Sequence, residues 1–261
     1  MDKRLLNYQE LLNLSAELGE GLLENGAEID RVEESVSFLL HAYGMEDSAV
    51  FAIPSFLLIT LNDANEQALT RGVRVLRHTT DLQAVDQLNA LCRRACEEKP
   101  ALSVLRGRLR AVRERKKSPM ILQLAACGLI GGAFTAFFGG SWRDALCAVA
   151  VGLLIGLGGY WMDRLRANLF FTNLAVSMLA SLAALLLVRA GLGSGTDAII
   201  IGSLMNLVPG VALTNFMQNI IAGDLIAGLT RLAEALMTAV AIALGTALAL
   251  AAFQWAGGIV Q

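Results

Sequence analysis

The first hundred residues alternate between helical and strand-like spacing of apolar positions. Residues 8–25, YQELLNLSAELGEGLLEN, put Leu11, Leu14, Leu18 and Leu22 on one helical stripe, which Leu12 and Leu23 widen. Gly26 follows as a C-cap. Residues 27–43 predict a second amphipathic helix with Ile29, Val32, Val36, Leu39 and Leu40 inward. The period then shortens. Residues 49–61, AVFAIPSFLLITL, are rich in β-branched and aromatic side chains and predict two short strands either side of Pro54. The run Asn62-Asp63-Ala64-Asn65 predicts a turn, and residues 67–76 a third strand. Asp81 is placed to cap a helix over about 82–97, and Pro100 to open the next.

From Met120 the pattern loses its polar positions. Five apolar stretches, at about 119–139, 144–162, 168–188, 197–221 and 232–256, each approach the roughly 20 residues a helix needs to cross a bilayer. Gly128 and Gly132 in the first, and Gly152 and Gly156 in the second, have the spacing that lets membrane helices approach closely. The sequence thus predicts an α-helical integral membrane protein with five transmembrane helices and an N-terminal α+β domain, divided as 1–117 and 118–261.

Charge sharpens that division. Residues 1–117 hold 16 Lys+Arg and 18 Asp+Glu, whereas residues 118–261 hold 5 of each. Arg106 to Lys117 carries seven positive charges and one negative, Glu114, directly before the first span. A basic cluster at that place marks the cytoplasmic side and attracts anionic headgroups. Arg164, Arg166 and Arg231 fall on the same side, which puts the N-terminal domain in the cytoplasm and the C-terminus outside, in the inner (cytoplasmic) membrane. The N-terminus lacks the uninterrupted apolar core of a secretory signal. Nothing in the charge pattern points to nucleic acid. Cys92, Cys96, Cys127 and Cys147 form no CxxC, and with His41 and His78 as the only histidines no metal or other cofactor is expected.

The fourth stretch carries the candidate chemistry. It contains NLVPGVALTN, with Pro209-Gly210 near its middle. Proline removes a backbone donor, and in lipid the freed groups must find partners in protein or water. Asn206, Thr214, Asn215, Gln218 and Asn219 surround the break, and Asn206, Gly210, Thr214 and Gln218 are four apart, one stripe on a continuous helix. Interrupted helices of this kind commonly face small polar solutes in transporters. A kink satisfied by neighbouring side chains is the alternative. Asp224, Arg231 and Glu234 follow; they suit coupling or gating, or a solvated interfacial ion pair.

Two sets of residues resemble a known family. They are GEGLLENGAEIDRVEESV (19–36) with TRGVRVLRHTTDLQAVDQLNAL (70–91), and NLVPGVALTNFMQNIIAGDLIAGLTRLAEAL (206–236). Gly26, Glu28, Arg31, Glu33, Thr70 and Arg71 carry the first resemblance, and the proline-glycine break through Glu234 the second. Nearly the whole chain is similar to the N-terminal unit of the threonine/serine exporters. The resemblance implies export of small hydrophilic metabolites, threonine, serine or dicarboxylates, driven by a gradient. It also implies a separately encoded second five-span subunit as partner; self-association stays open. Gln218-Asn219 stands where the family pattern leads one to expect an Arg-Asp pair. Two other roles compete: a regulatory or assembly subunit, and a membrane-tethered hydrolase. Against the hydrolase, no GxSxG, HExxH or P-loop is present, and no catalytic residue is assigned.

Overall fold

The computed structural model describes residues 7–76, 79–115 and 118–259, the side chains of 257–259 excepted. His78, Lys116 and Lys117, named above, lie outside the described residues. The described residues fall into two units: those within 1–116 together with 214–231, and those within 117–213 together with 232–261.

In the first unit, α1 (Tyr8–Glu24) and α2 (Ile29–Ala42) precede an antiparallel sheet of β1 (Ala49–Ile53), β2 (Phe56–Asn62) and β3 (Ala68–Arg74), in the order β1-β2-β3. α3 (Leu82–Glu98) and α4 (Leu102–Arg113) follow. The expected leucine stripe of α1 is the core: Leu11, Leu12 and Leu22 are wholly buried beside Val32, Val36 and Leu40 of α2. β2 adds Leu57, Ile59 and Leu61 from one face, as a period of two requires. Asp81 caps α3 by accepting from the Ala84 N–H at 3.0 Å. Gly26 takes φ +87° after α1, a left-handed conformation that glycine adopts without a Cβ penalty. Pro100 precedes α4 by two residues, and its carbonyl accepts from the Tyr43 hydroxyl at 2.6 Å. The basic residues of α4 are matched by carboxylates: Arg106 with Glu10, Arg108 with Glu98, Arg110 with Glu114 and Arg113 with Glu20. Much of the charge expected to face headgroups is therefore neutralised locally.

In the second unit, α5 (Met120–Phe137), α6 (Trp142–Arg164) and α7 (Leu169–Arg189) are apolar and long enough to cross a membrane. So is Leu225–Ala256, within α10 (Leu225–Ile259), whose residues up to Arg231 belong to the first unit. Among the described residues that makes four candidate spans where five were expected. The expected fourth span at 197–221 is two short helices, α8 (Thr196–Leu204) and α9 (Gly210–Ala222). At 1.5 Å per residue they are about 14 and 20 Å long, short of a hydrocarbon core of about 30 Å. Pro209 is the physical reason, because its missing N–H and ring end the helix ahead of it. α10 also starts earlier than the expected residue 232, so Arg231 and Glu234 lie inside a helix and not at its head.

Glycine sets the closest contact in this unit. A Cβ on Gly131 would stand 2.7 Å from the Ala148 carbonyl oxygen, and one on Gly152 would run into the Cys127 carbonyl. Of the glycines expected to allow close approach, Gly128 and Gly152 do so between α5 and α6, where backbone faces backbone, and Gly131 joins them. Asp144 ties the next elements together. Within its own turn it accepts from the Ser141 N–H at 2.9 Å, and from the loop before α8 it accepts from the N–H groups of Ser194 at 2.6 Å and Gly195 at 3.0 Å. Gly152→Val is expected to destabilise the purified protein by about 3 kcal/mol or more, because the obstacle is backbone and cannot rotate away. Gly159→Ala, with nothing within 4 Å of the new methyl, is the neutral control in the same thermal unfolding measurement.

Candidate functional site around the interrupted helix

α8 ends at Leu204, and the chain turns through 205–208 before α9 starts at Gly210. The turn closes on itself. Leu207 N–H donates to the Leu204 carbonyl at 2.8 Å, and Gly210 N–H to the Val208 carbonyl at 2.8 Å. Asn206 supplies the remaining link: its side-chain amide donates to the Cys127 carbonyl on α5 at 3.1 Å and to the Ser203 carbonyl at 3.0 Å. Asn206 is therefore a clamp across the break, with its donors held by neighbouring backbone. Beside the break lies a cavity of about 550 Å³ walled by Leu204, Val208, Pro209 and Leu213 on one side and by Ala239 and Ala243 of α10 on the other. Its lining is apolar apart from Thr246.

The break also resets the helical phase. Gly210, Thr214 and Gln218 keep their spacing of four along α9 and are exposed, but Asn206 lies off that helix; Asn215 and Asn219, one turn apart on α9, are 7% and 3% exposed. Arg231 is likewise buried. Pro209 and Gly210 form the junction itself, and Glu234 is half-buried on α10.

Residues 214–231 belong to the first unit, and Ala227 lies in its apolar core. This brings together two sequence motifs almost two hundred residues apart. The Asp224 carboxyl lies near that of Asp30 on α2, and burial first, then Asp30, raises its pKa. Glu33, one turn along α2, accepts from the Ala52 N–H at 2.6 Å. Burial raises its pKa, the backbone hydrogen bond opposes this, and the Asp224 and Asp30 charges add to the rise. No single sequence signal marks Asp30 as Asp224's partner; only the fold pairs them.

The other motif residues are structural. Arg71 donates to Asn13 on α1 at 2.8 Å, the Thr70 and Thr60 hydroxyls meet across β3 and β2 at 3.0 Å, and Glu28 precedes α2 without a side-chain cap bond. Arg31 stands apart from these, at a cleft described below. No group of three or more His, Cys, Asp or Glu side chains placed to hold a metal occurs among the described residues.

Four membrane-length apolar helices, an interrupted segment and a separate α+β unit define a multi-pass helical membrane protein. More particularly, the chain belongs to the ThrE threonine/serine exporter family, whose model matches residues 13–253. A relative from Mycobacterium tuberculosis (strain ATCC 25618 / H37Rv), named "Probable threonine/serine exporter", is 25% identical over 252 residues. That match takes in 94% of this chain and 46% of the relative, so the chain spans about half of that protein's length. No solved structure matches the chain.

The carboxyl cluster gives a pH prediction. Raised acid pKa values mean that the contact is favoured while Asp224 and Glu33 are protonated and weakens as pH climbs through their folded values. Asp224→Asn is expected to raise the melting temperature at neutral pH and to flatten its decline as pH rises from the ordinary carboxylate range, about pH 4, to neutral, by about 1 kcal/mol or less because the carboxyls are partly solvated. Parallel melting curves of the two proteins across that range check it; identical pH slopes would remove the cluster's significance.

Proposed function

We propose that the chain is one half of a gradient-driven membrane exporter of small hydrophilic metabolites, threonine/serine-type amino acids or dicarboxylates. It works with a second five-span subunit of the same family, N-terminal unit in the cytoplasm and C-terminus outside. The observation that carries this reading is the membrane segment broken at Pro209, with the Asn215 and Asn219 amides turned inward just beyond it. Amides without water are stable only where protein or a polar solute satisfies them, which suits a solute path and not a lipid face. The relative's length supports the pairing, because more than half of it lies beyond the match.

In this reading Asn215, Asn219 and Arg231 belong to the path. Asn206 and Pro209-Gly210 hold the break open, Thr214 and Gln218 face outward to the partner, and Asp224 with Glu234 respond to the coupling ion. A second reading has its own observation. The cavity at the break is apolar, which favours a regulatory or assembly subunit whose partner holds the path.

Replacing Pro209 and Gly210 with alanine removes about 3 kcal/mol of helix-breaking cost and favours one continuous helix. Threonine efflux from cells lacking other exporters, with the partner present, is expected to fall about tenfold, a barrier change of roughly 1.4 kcal/mol. Membrane insertion stays intact. Normal efflux from the double variant would leave the break with a structural role only and favour the subunit reading.

A further inference from the structure

The cavity in this molecule whose chemistry matches a hydrophilic solute is not in the membrane. It is a cleft of about 600 Å³ between α2 and α3 of the first unit, in the size range of small-molecule sites. α2 turns Ile29, Val32, Val36, Leu39 and Leu40 into the core, and α3 turns in Leu88, Leu91 and Ala95. The polar flanks of the two helices are left facing each other across the cleft. Its floor is fixed by two bonds between the helices. The Ser35 hydroxyl donates to Asn89 Oδ1 at 3.4 Å, and the Cys92 thiol donates to the Ser35 carbonyl at 3.2 Å. Phe38 forms an apolar wall.

Among the described residues, both signs of charge stand around this floor without ion pairs, as Arg74 and Arg94 elsewhere in the unit also do. Arg31 and Glu34 are three apart on α2, and Arg93 and Glu97 four apart on α3, spacings at which opposite charges ordinarily meet. Among the described residues, none of these four is within ion-pair distance of a partner, whereas Arg106, Arg108, Arg110, Arg113 and Arg115 of the same unit all are. Lys99 adds a third cation at the rim. It ends α3 in the left-handed region at φ +45°, a conformation that strains a non-glycine residue.

We propose that this cleft binds a small zwitterionic amino acid. Guanidinium groups at Arg31 and Arg93, with the Lys99 ammonium, suit an α-carboxylate, which arginine takes through paired N–H donors. Glu34 and Glu97 suit an α-ammonium, and Ser35 and Asn89 suit a short side-chain hydroxyl. A plain dicarboxylate satisfies the cations but sets its second charge against two glutamates. An uncharged solute leaves both sets unused. The site lies in the unit that the preceding reading places in the cytoplasm, so it makes that unit a sensor or loading point for the exported solute. The choice of threonine as probe rests on that reading.

The test is equilibrium binding of radiolabelled L-threonine to the full-length protein in detergent, with competition by N-acetylthreonine, threoninamide and succinate. Saturable binding is expected, with each competitor at least tenfold weaker than unlabelled threonine. Arg93→Ala and Glu97→Gln, both at exposed positions, are expected to weaken binding tenfold or more. Lys99→Gly relieves the left-handed strain while removing the ammonium, so it keeps the fold and still loses affinity. The Pro209→Ala/Gly210→Ala variant keeps full binding. Absence of saturable binding, indifference to all three cleft variants, or succinate competing as well as threonine would each overturn the assignment. Absence of threonine efflux by the unmutated protein with cleft binding intact would count against the exporter reading and leave the site standing.

Discussion

Every turn of backbone placed inside a bilayer has to satisfy its own polar groups, and the membrane unit is arranged around the one place where its helices fail to do so. Pro209 stops α8 and α9 from being one helix. The Asn206 amide then carries the load, bonding the Cys127 carbonyl of α5 and the Ser203 carbonyl of α8. Without that clamp, peptide groups at membrane depth would lie unpaired at several kcal/mol each. The clamp in turn requires α5 to lie close by. α5 is fixed by its contact with α6, where Gly131 and Gly152 let backbone meet backbone. Asp144 extends the same frame by binding the Ser194 and Gly195 amides ahead of α8. The helix break, the glycine seam and the buried aspartate are one mechanical system.

That system explains which features could be read directly from the chain. Elements whose identity is set by local periodicity and capping came through: the leucine stripe of α1, the strands either side of Pro54, the Asp81 cap and the glycine seam. The Pro209 break was visible too, because proline acts on its own backbone. What the break does to the residues beyond it was not visible. A spacing of four from Asn206 assumes a continuous helix; the interruption at 205–209 takes Asn206 off the helix that carries Thr214 and Gln218, and the buried amides of that helix are Asn215 and Asn219. For the same reason the count of five membrane-length helices became four. Composition measures apolar length but not interruption.

Contacts that depend on long-range folding were equally hidden. Asp30 lies in a helix whose other residues follow a simple amphipathic pattern, and Asp224 lies in a turn near two glycines. Their meeting follows from residues 214–231 packing with the first unit, where Ala227 enters the core. The motif containing Glu28, Arg31 and Glu33 reads as a single charged group along the sequence, yet the fold distributes it. Glu33 turns to the Ala52 amide and the aspartates, and Arg31 to the opposite flank and the α2–α3 cleft. Two positions, about half a turn of helix, separate a structural carboxylate from a cation that lines the cleft.

The distribution of polarity between the units bears on how such a protein handles a hydrophilic solute. Apolar side chains wall the cavity at the break, while both signs of charge ring the cleft on the first unit. A solute with a carboxylate and an ammonium loses strong hydration on leaving water, and apolar walls return none of it. Such a solute is held where charges already stand in solvent at modest desolvation cost, and it passes the membrane segment only where amides substitute for water. On the proposed reading Asn215 and Asn219 are the amides assigned to that passage. Recognition and passage are, on that reading, separable, the first assigned to ionic side chains on α2 and α3 and the second to amides that follow a proline.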